Sequence, residues 1–271
     1  MPFADIRGAR LFFTNDGAAD SAMVLVHGFS CDSHDWSWQL PHFTGTHRVI
    51  ALDLRGHGRS TAPESGYELA SLAADVAELL ELVGCGPVVA IGHSLGGAIV
   101  ATLAVERPDL VCAGVAVDPG HLLPDSLAPM LAGAMAAYES GDPGLTARNF
   151  FDQASHVPAT PAALATWHNR RAEGLPAEVA RQTLAGLIGG PRPFALRANS
   201  EPYLRRIGCP ILSFFMDPAR TSIAEEVFSL PSRSVCFEGS GHWLHQERPA
   251  EVNWIVDTWL AGLSGTPPIR S

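Results

Sequence analysis

The sequence is poor in charge, in basic clusters and in paired cysteines. Charged residues fill 17% of its 271 positions, and the formal net charge is −10. No basic cluster exceeds a pair such as Arg170-Arg171 or Arg205-Arg206. The basic face that grips a phosphate backbone is therefore missing, and no nucleic-acid partner is expected. Acidity also disfavours an anionic membrane surface. The cysteines, Cys31, Cys85, Cys112, Cys209 and Cys236, are odd in number and form no C-x-x-C pair. They read as buried thiols of a reducing compartment. The opening MPFADIRGAR has no apolar run of the signal-peptide kind. The longest apolar helix-like stretch, 127–138, is too short to span a bilayer. No H-E-x-x-H occurs, and the Asp and His of DLRGHGRS (53–60) are not spaced to share a helical face. No metal or organic cofactor is expected. The expectation is a cytoplasmic protein, monomer or homodimer, acting on a small molecule.

What is present is apolar and patterned. Hydrophobic residues make up 46% of the chain, enough to bury a large core. Short apolar runs, rich in β-branched residues, read as buried strands: AMVLVHG (22–28), HRVIALDLRG (47–56), PVVAIGHS (87–94), CAGVAVDPG (112–120), PILSFF (210–215) and RSVCFEG (233–239). Between the early runs lie helices. Leu69, Leu72, Val76, Leu79, Leu80 and Val83 form one stripe ended by Gly84, and 95–109 is apolar nearly all round and stops before Pro108. Such alternation predicts an α/β fold with a mostly parallel, doubly wound sheet. From His121 to about Arg206 the strand pattern stops. Helical patches at 125–139, 144–154, 160–173 and 176–188 replace it. The division expected is a core of 1–120 and 207–271, with a helical cap, 121–206, inserted after the strand that ends at Asp118. An insertion there hangs over the strands' carboxyl ends, where ligands bind.

At 90–98 the chain reads AIGHSLGGA. Gly92-x-Ser94-x-Gly96 between a strand and a helix is a nucleophile elbow: small residues let a strained turn close, and the helix aims its first N–H groups at the reaction site. Ser94 is the candidate nucleophile and the Leu95 N–H a candidate oxyanion donor. A general base must then titrate near neutrality. His242, in the Gly-rich strand exit GSGHW, is the candidate. His245 is a weaker one, and His93, beside the serine, reads as a packing residue.

LVHGF (25–29), ALDLRGHGRS (51–60), IGHSLGG (91–97) and GSGHWLHQERP (239–249) together resemble the α/β-hydrolase superfamily across the whole core. The likeness is to its lidded group of esterases, lactonases, carbon–carbon bond hydrolases, epoxide hydrolases and haloalkane dehalogenases. The last two use an aspartate nucleophile, and Ser94 argues against both. The resemblance implies that the residue after His27-Gly28, Phe29, supplies the second oxyanion N–H. It usually places the acid after the next-to-last strand in a G-x-x-D turn. Here that region reads CPILSFFMDPARTS, without the glycine, so Asp217 competes with Asp118, which follows AGVAV as in some lidded relatives. Asp217 also suits a turn or helix cap near Thr221-Ser222. Trp36, Trp167 and Trp243 are candidate walls of an apolar pocket. The function expected is a serine hydrolase cleaving an ester or lactone of a medium-sized hydrophobic substrate through an acyl-enzyme. A carbon–carbon bond hydrolase, a lyase or a cofactor-free haloperoxidase-like enzyme on the same residues is the alternative, and a non-catalytic receptor a more distant one.

Overall fold

The computed structural model describes residues 2–229 and 231–264. It opens with a hairpin that no apolar run announces. Strands β1 (Phe3–Ile6) and β2 (Ala9–Asp16) pair antiparallel with Ile6 opposite Ala9. Only Arg7 and Gly8 turn the corner, both at positive φ, 46° and 78°, the two-residue geometry whose twist matches the strands it joins. Then come β3 (Ala22–Val26), β4 (Arg48–Leu52), β5 (Val88–His93), β6 (Val111–Val117), β7 (Ile211–Phe215) and β8 (Arg233–Cys236), each on one of the apolar runs. They form one eight-stranded sheet in the order β1-β2-β4-β3-β5-β6-β7-β8. It is parallel from β4 through β8, and β2 joins β4 antiparallel.

The central strands read as continuous apolar runs because both faces are covered. Alternate side chains point to opposite faces. Val24, Val26, Ile50, Leu52, Val88 and Ala90 pack into one layer with α2 (Leu69–Leu82) and α3 (Leu95–Glu106), which follow the single turn α1 (Leu40–Phe43). Met23, Leu25, Val49, Ala51, Val89 and Ile91 form the other layer with Trp36 and Trp259. Helix α3 buries every residue from Leu95 to Ala104, which accounts for its apolar circumference.

Residues 121–206 carry α4 (Ala128–Ser140), α5 (Pro143–Phe150), a π-helical turn at Phe151–Ser155, α6 (Ala162–Gly174), α7 (Ala177–Ile188) and α8 (Arg197–Leu204). Among the described residues, the segment's one strand-like pairing is the isolated bridge Leu123–Leu196. The chain then re-enters the sheet at β7 and ends with α9 (Pro218–Val227), α10 (Leu244–Glu247) and α11 (Pro249–Ser264). Among the described residues, no helix is long and apolar enough to cross a membrane. The cysteines depart from the expectation of burial: Cys31 and Cys85 are buried, but Cys112 is exposed. Val88 pairs with Val111 and Val89 with Ala113, so Cys112 is the extra residue of a β-bulge and turns outward.

Strand β3 lies between β4 and β5, so the connection leaving β3 runs to β4 on one side and the connection leaving β5 runs to β6 on the other. That reversal opens a crevice at the carboxyl ends of β3 and β5, where open α/β sheets bind ligands. His27-Gly28-Phe29 leaves one of these ends and Ser94 the other.

Candidate active site

Ser94 is the single residue between β5 and α3, with φ 51° and ψ −114°. A non-glycine residue holds such a conformation only when its surroundings over-determine it, and they do. The Ser94 N–H donates to Val117 O at 3.0 Å, and its carbonyl accepts from Gly97 N–H at 3.0 Å and Gly120 N–H at 2.8 Å. The flanking glycines are steric requirements. A Cβ on Gly92 would collide with the carbonyl of Gly96, and one on Gly96 with the carbonyl of Val26.

Leu95 is the first residue of α3, so its N–H is one of the first-turn donors without an intrahelical acceptor. The loop after β3 is fixed by His27, which is fully buried. Its Nδ1–H donates to Gly28 O at 2.8 Å, and its Nε2 accepts from Leu54 N–H at 2.9 Å. Among the described residues, the Phe29 N–H meets no backbone acceptor. A Cβ on Gly28 would stand 2.7 Å from His93 Nδ1 and 3.2 Å from Ser94 Cβ. Glycine therefore lets this loop lie against the serine turn.

His242 stands beyond β8. Its backbone N–H donates to Ser155 O at 2.8 Å, and its Nδ1–H donates to Asp118 Oδ2 at 2.5 Å. The structure thus separates the two competing carboxylates. Asp118, 2% exposed and at φ 38°, touches His242. Asp217 caps α9, its Oδ1 accepting from Ala219 N–H at 2.8 Å. The other oxygen of Asp118 accepts from Arg220 Nη1 at 2.6 Å. Arg220 also donates from Nη2 to the carbonyls of Pro119 and His121. Burial alone would raise the Asp118 carboxyl, but the charges of Arg220 and His242 outweigh it and hold it below the ordinary value.

Behind His242 lies a buried polar layer. The Nε2–H of His93 donates to His242 O at 3.1 Å, and the two rings stand 4.6 Å apart. His245, beneath, is fully buried. Burial pushes both rings well below the usual histidine range. Asp35 pairs with Arg171 Nη2 at 2.5 Å. Cys31, Asp35 and His93 bring ligand atoms within 4.8 Å of one another, the one grouping among the described residues whose donors could hold a metal. It fits a cation poorly. Arg171 already supplies the positive charge on Asp35, and burial and Asp35 push the Cys31 thiol well above its ordinary value, away from the thiolate a metal binds.

Ser94, His242 and Asp118 line a cavity of about 350 Å³. Its walls are mostly apolar and come largely from the helical segment, with Leu131, Tyr138, Phe151, Leu184 and Leu187 among them. Of the three tryptophans expected there, Trp243 lines it; Trp36 and Trp167 do not. Trp36 sits in a tight turn that points it into the core, 4.5 Å from the ring of His245. Trp167 lies under the Arg171 guanidinium at 4.4 Å, because it is His168, one residue on and about 100° round α6, that turns inward to Trp243. Residues the sequence does not single out are Tyr138, Arg171 and Arg220. The only available signal for Arg220 is its place one turn into the helix that Asp217 caps.

The model of the Alpha/beta hydrolase family matches residues 23–253. Epoxide hydrolase A of Mycobacterium tuberculosis is 29% identical, over 96% of each chain. Among solved structures, Est816, an N-acyl homoserine lactone degrading enzyme, superposes with a TM-score of 0.80 at 22% identity, covering 94% of this chain and 98% of its own. The enol-lactonase from Burkholderia xenovorans LB400 does so with a TM-score of 0.81 at 18% identity, covering 96% and 100%. These two likenesses concern the fold alone.

Proposed function

The chain belongs to the alpha/beta hydrolase family, and from that premise we propose that it is a serine hydrolase acting on a neutral, largely apolar ester or lactone. The observation that carries this reading is the Asp118–His242 bond at the base of the pocket that Ser94 opens into. Ser94 Oγ attacks the acyl carbon. Its proton passes to His242 Nε2, whose Nδ1–H is already committed to Asp118. The N–H groups of Phe29 and Leu95 take up the charge developing on the carbonyl oxygen, each worth about 10²–10³ in rate. The imidazolium returns the proton to the leaving oxygen, and an acyl-enzyme remains. Water, deprotonated by the same histidine, cleaves it.

Epoxide opening is disfavoured by the nucleophile. A carboxylate that opens an epoxide is left as an ester, which water can cleave. A serine would be left as an alkyl ether, which it cannot. The charges of the pocket favour a neutral substrate. Asp118 and Asp217 line it, and the one guanidinium among the described residues that line it, Arg220, is spent on Asp118 and two carbonyls. An anionic substrate would bury its charge with no partner.

The test uses p-nitrophenyl esters, a set of lactones and a fluorophosphonate probe. Wild type is expected to be labelled once, on Ser94, and to turn over the neutral esters or lactones. Ser94→Ala loses both. Full activity in Ser94→Ala refutes the reading.

A further inference from the structure

Resting on that reading, we infer that Arg220 is a positioning residue: it clamps the Asp118 carboxylate and the loop behind it, and so sets the orientation and charge of the group on which His242 depends. The geometry is that of a brace. One terminal nitrogen holds Asp118 Oδ1 at 2.6 Å, and the other spans the carbonyls of Pro119 and His121. Asp118 Oδ2 is left to His242. The whole arrangement is buried, with Arg220 6% exposed. The loop it ties is strained, since Asp118 and Leu122 have φ of 38° and 56°. An unbraced carboxylate there is free to rotate and the loop free to relax. Only a planar, forked cation satisfies acceptors in three directions at once.

The placement follows from α9. Asp217 caps its first turn, and Pro218 and Ala219 carry Arg220 round to face the end of β6. The helix therefore delivers a cation where Asp217 would otherwise have had to deliver the acid. The histidines nearby cannot replace that charge. Burial holds His93 and His245 well below the usual range and His121 at about 3. Arg171, behind them, is occupied by Asp35.

Four consequences follow, and together they separate this role from simple packing. Arg220→Gln lowers kcat/KM about 10²-fold, the loss expected when a supporting group no longer fixes its partner to within about an ångström. With the guanidinium gone, the Asp118–His242 pair takes up a proton more readily, so the acid limb of kcat/KM moves up by about one pH unit. Arg220→Lys restores the charge and returns the limb to its wild-type position. Its kcat stays low, because an ammonium cannot span the three acceptors. Finally, Arg220→Gln costs nothing further in an Asp118→Asn background, since the group it acts through is already gone.

The experiment is a pH series of kcat/KM for wild type, both Arg220 variants, Asp118→Asn and the double variant. Should Arg220→Gln alone not fold, the double variant removes both buried charges together and its comparison with Asp118→Asn carries the test. An unshifted acid limb in Arg220→Gln, or a further tenfold loss in the double variant, overturns the inference. Full activity in Ser94→Ala and Asp118→Asn would instead overturn the hydrolase reading beneath it.

Discussion

Acid should unfold this protein well before its carboxylates titrate. His57, His121 and His168 are buried as neutral rings, and burial, their largest influence, brings each to about 3. An unfolded histidine takes up its proton near about 6.5. Below that pH the unfolded chain therefore binds more protons than the fold, and stability falls as pH falls. One such ring loses about 2.3 kcal/mol between pH 6.5 and 4.5, and three lose about 7 kcal/mol. That is comparable to the whole stability of an ordinary domain, roughly 5–15 kcal/mol. His93 and His245, also pushed well down by burial, act in the same direction. The Asp75 carboxyl, raised by burial, acts with the opposite sign. Urea unfolding followed by tryptophan fluorescence at half-unit pH steps gives the slope directly. His168→Gln, which retains a donor toward the Gln246 oxygen now met by His168 Nε2 at 2.9 Å, should flatten it by about one group's share. A urea midpoint that stays constant from pH 7 to 4.5 would show that these rings titrate normally in the fold, and the reasoning would fall.

Other outcomes follow from the site. Asp118→Asn, which presents the wrong hydrogen-bonding partner to His242, should lower kcat by about 10⁴-fold, while Asp217→Ala should stay within about tenfold in a steady-state assay. Asp217→Ala should instead lose a helix cap worth about 1 kcal/mol, a drop of roughly 2–4 °C in Tm by calorimetry. Gly92→Ala must push the Gly96 carbonyl aside and should cost about 2–3 kcal/mol in urea unfolding. A hemisuccinate ester should show kcat/KM about 10²-fold below that of a neutral ester with the same leaving group, because its carboxylate finds no free cation among the described residues that line the pocket.

The parallel sheet was legible because strands covered on both faces are written as unbroken apolar runs. The edge hairpin was not. Its strands are short or mixed, FADI and ARLFFTND, and its turn is signalled only by Gly8. The elbow was legible because its glycines are steric necessities at Gly92 and Gly96. The carboxylate partner of His242 was not, since Asp118 and Asp217 both follow neighbouring strands, and neither carries a mark of whether its carboxylate faces a helix N-terminus or a histidine. Trp36 and Trp167 were placed in the pocket from chain proximity alone. Their directions are set by a tight turn and by one residue's rotation about α6. The Arg171–Asp35 and Arg220–Asp118 pairs join residues more than a hundred positions apart, and no local pattern announces such a partnership.

One contact described above bears on how far this scaffold can be rebuilt. The histidine's backbone N–H is tied to Ser155 O, and Thr160 donates to Glu247, which also holds Gly241 N–H. The helical segment that shapes the pocket therefore also suspends the loop that carries His242. In an exchange of that segment between relatives, specificity and turnover would be inherited together. A graft that keeps the walls but loses the turn at 151–155 would carry a new preference on a chain with a misplaced His242. Recombination along this chain thus has a natural unit, the helical segment joined to residues 239–248 rather than the segment alone.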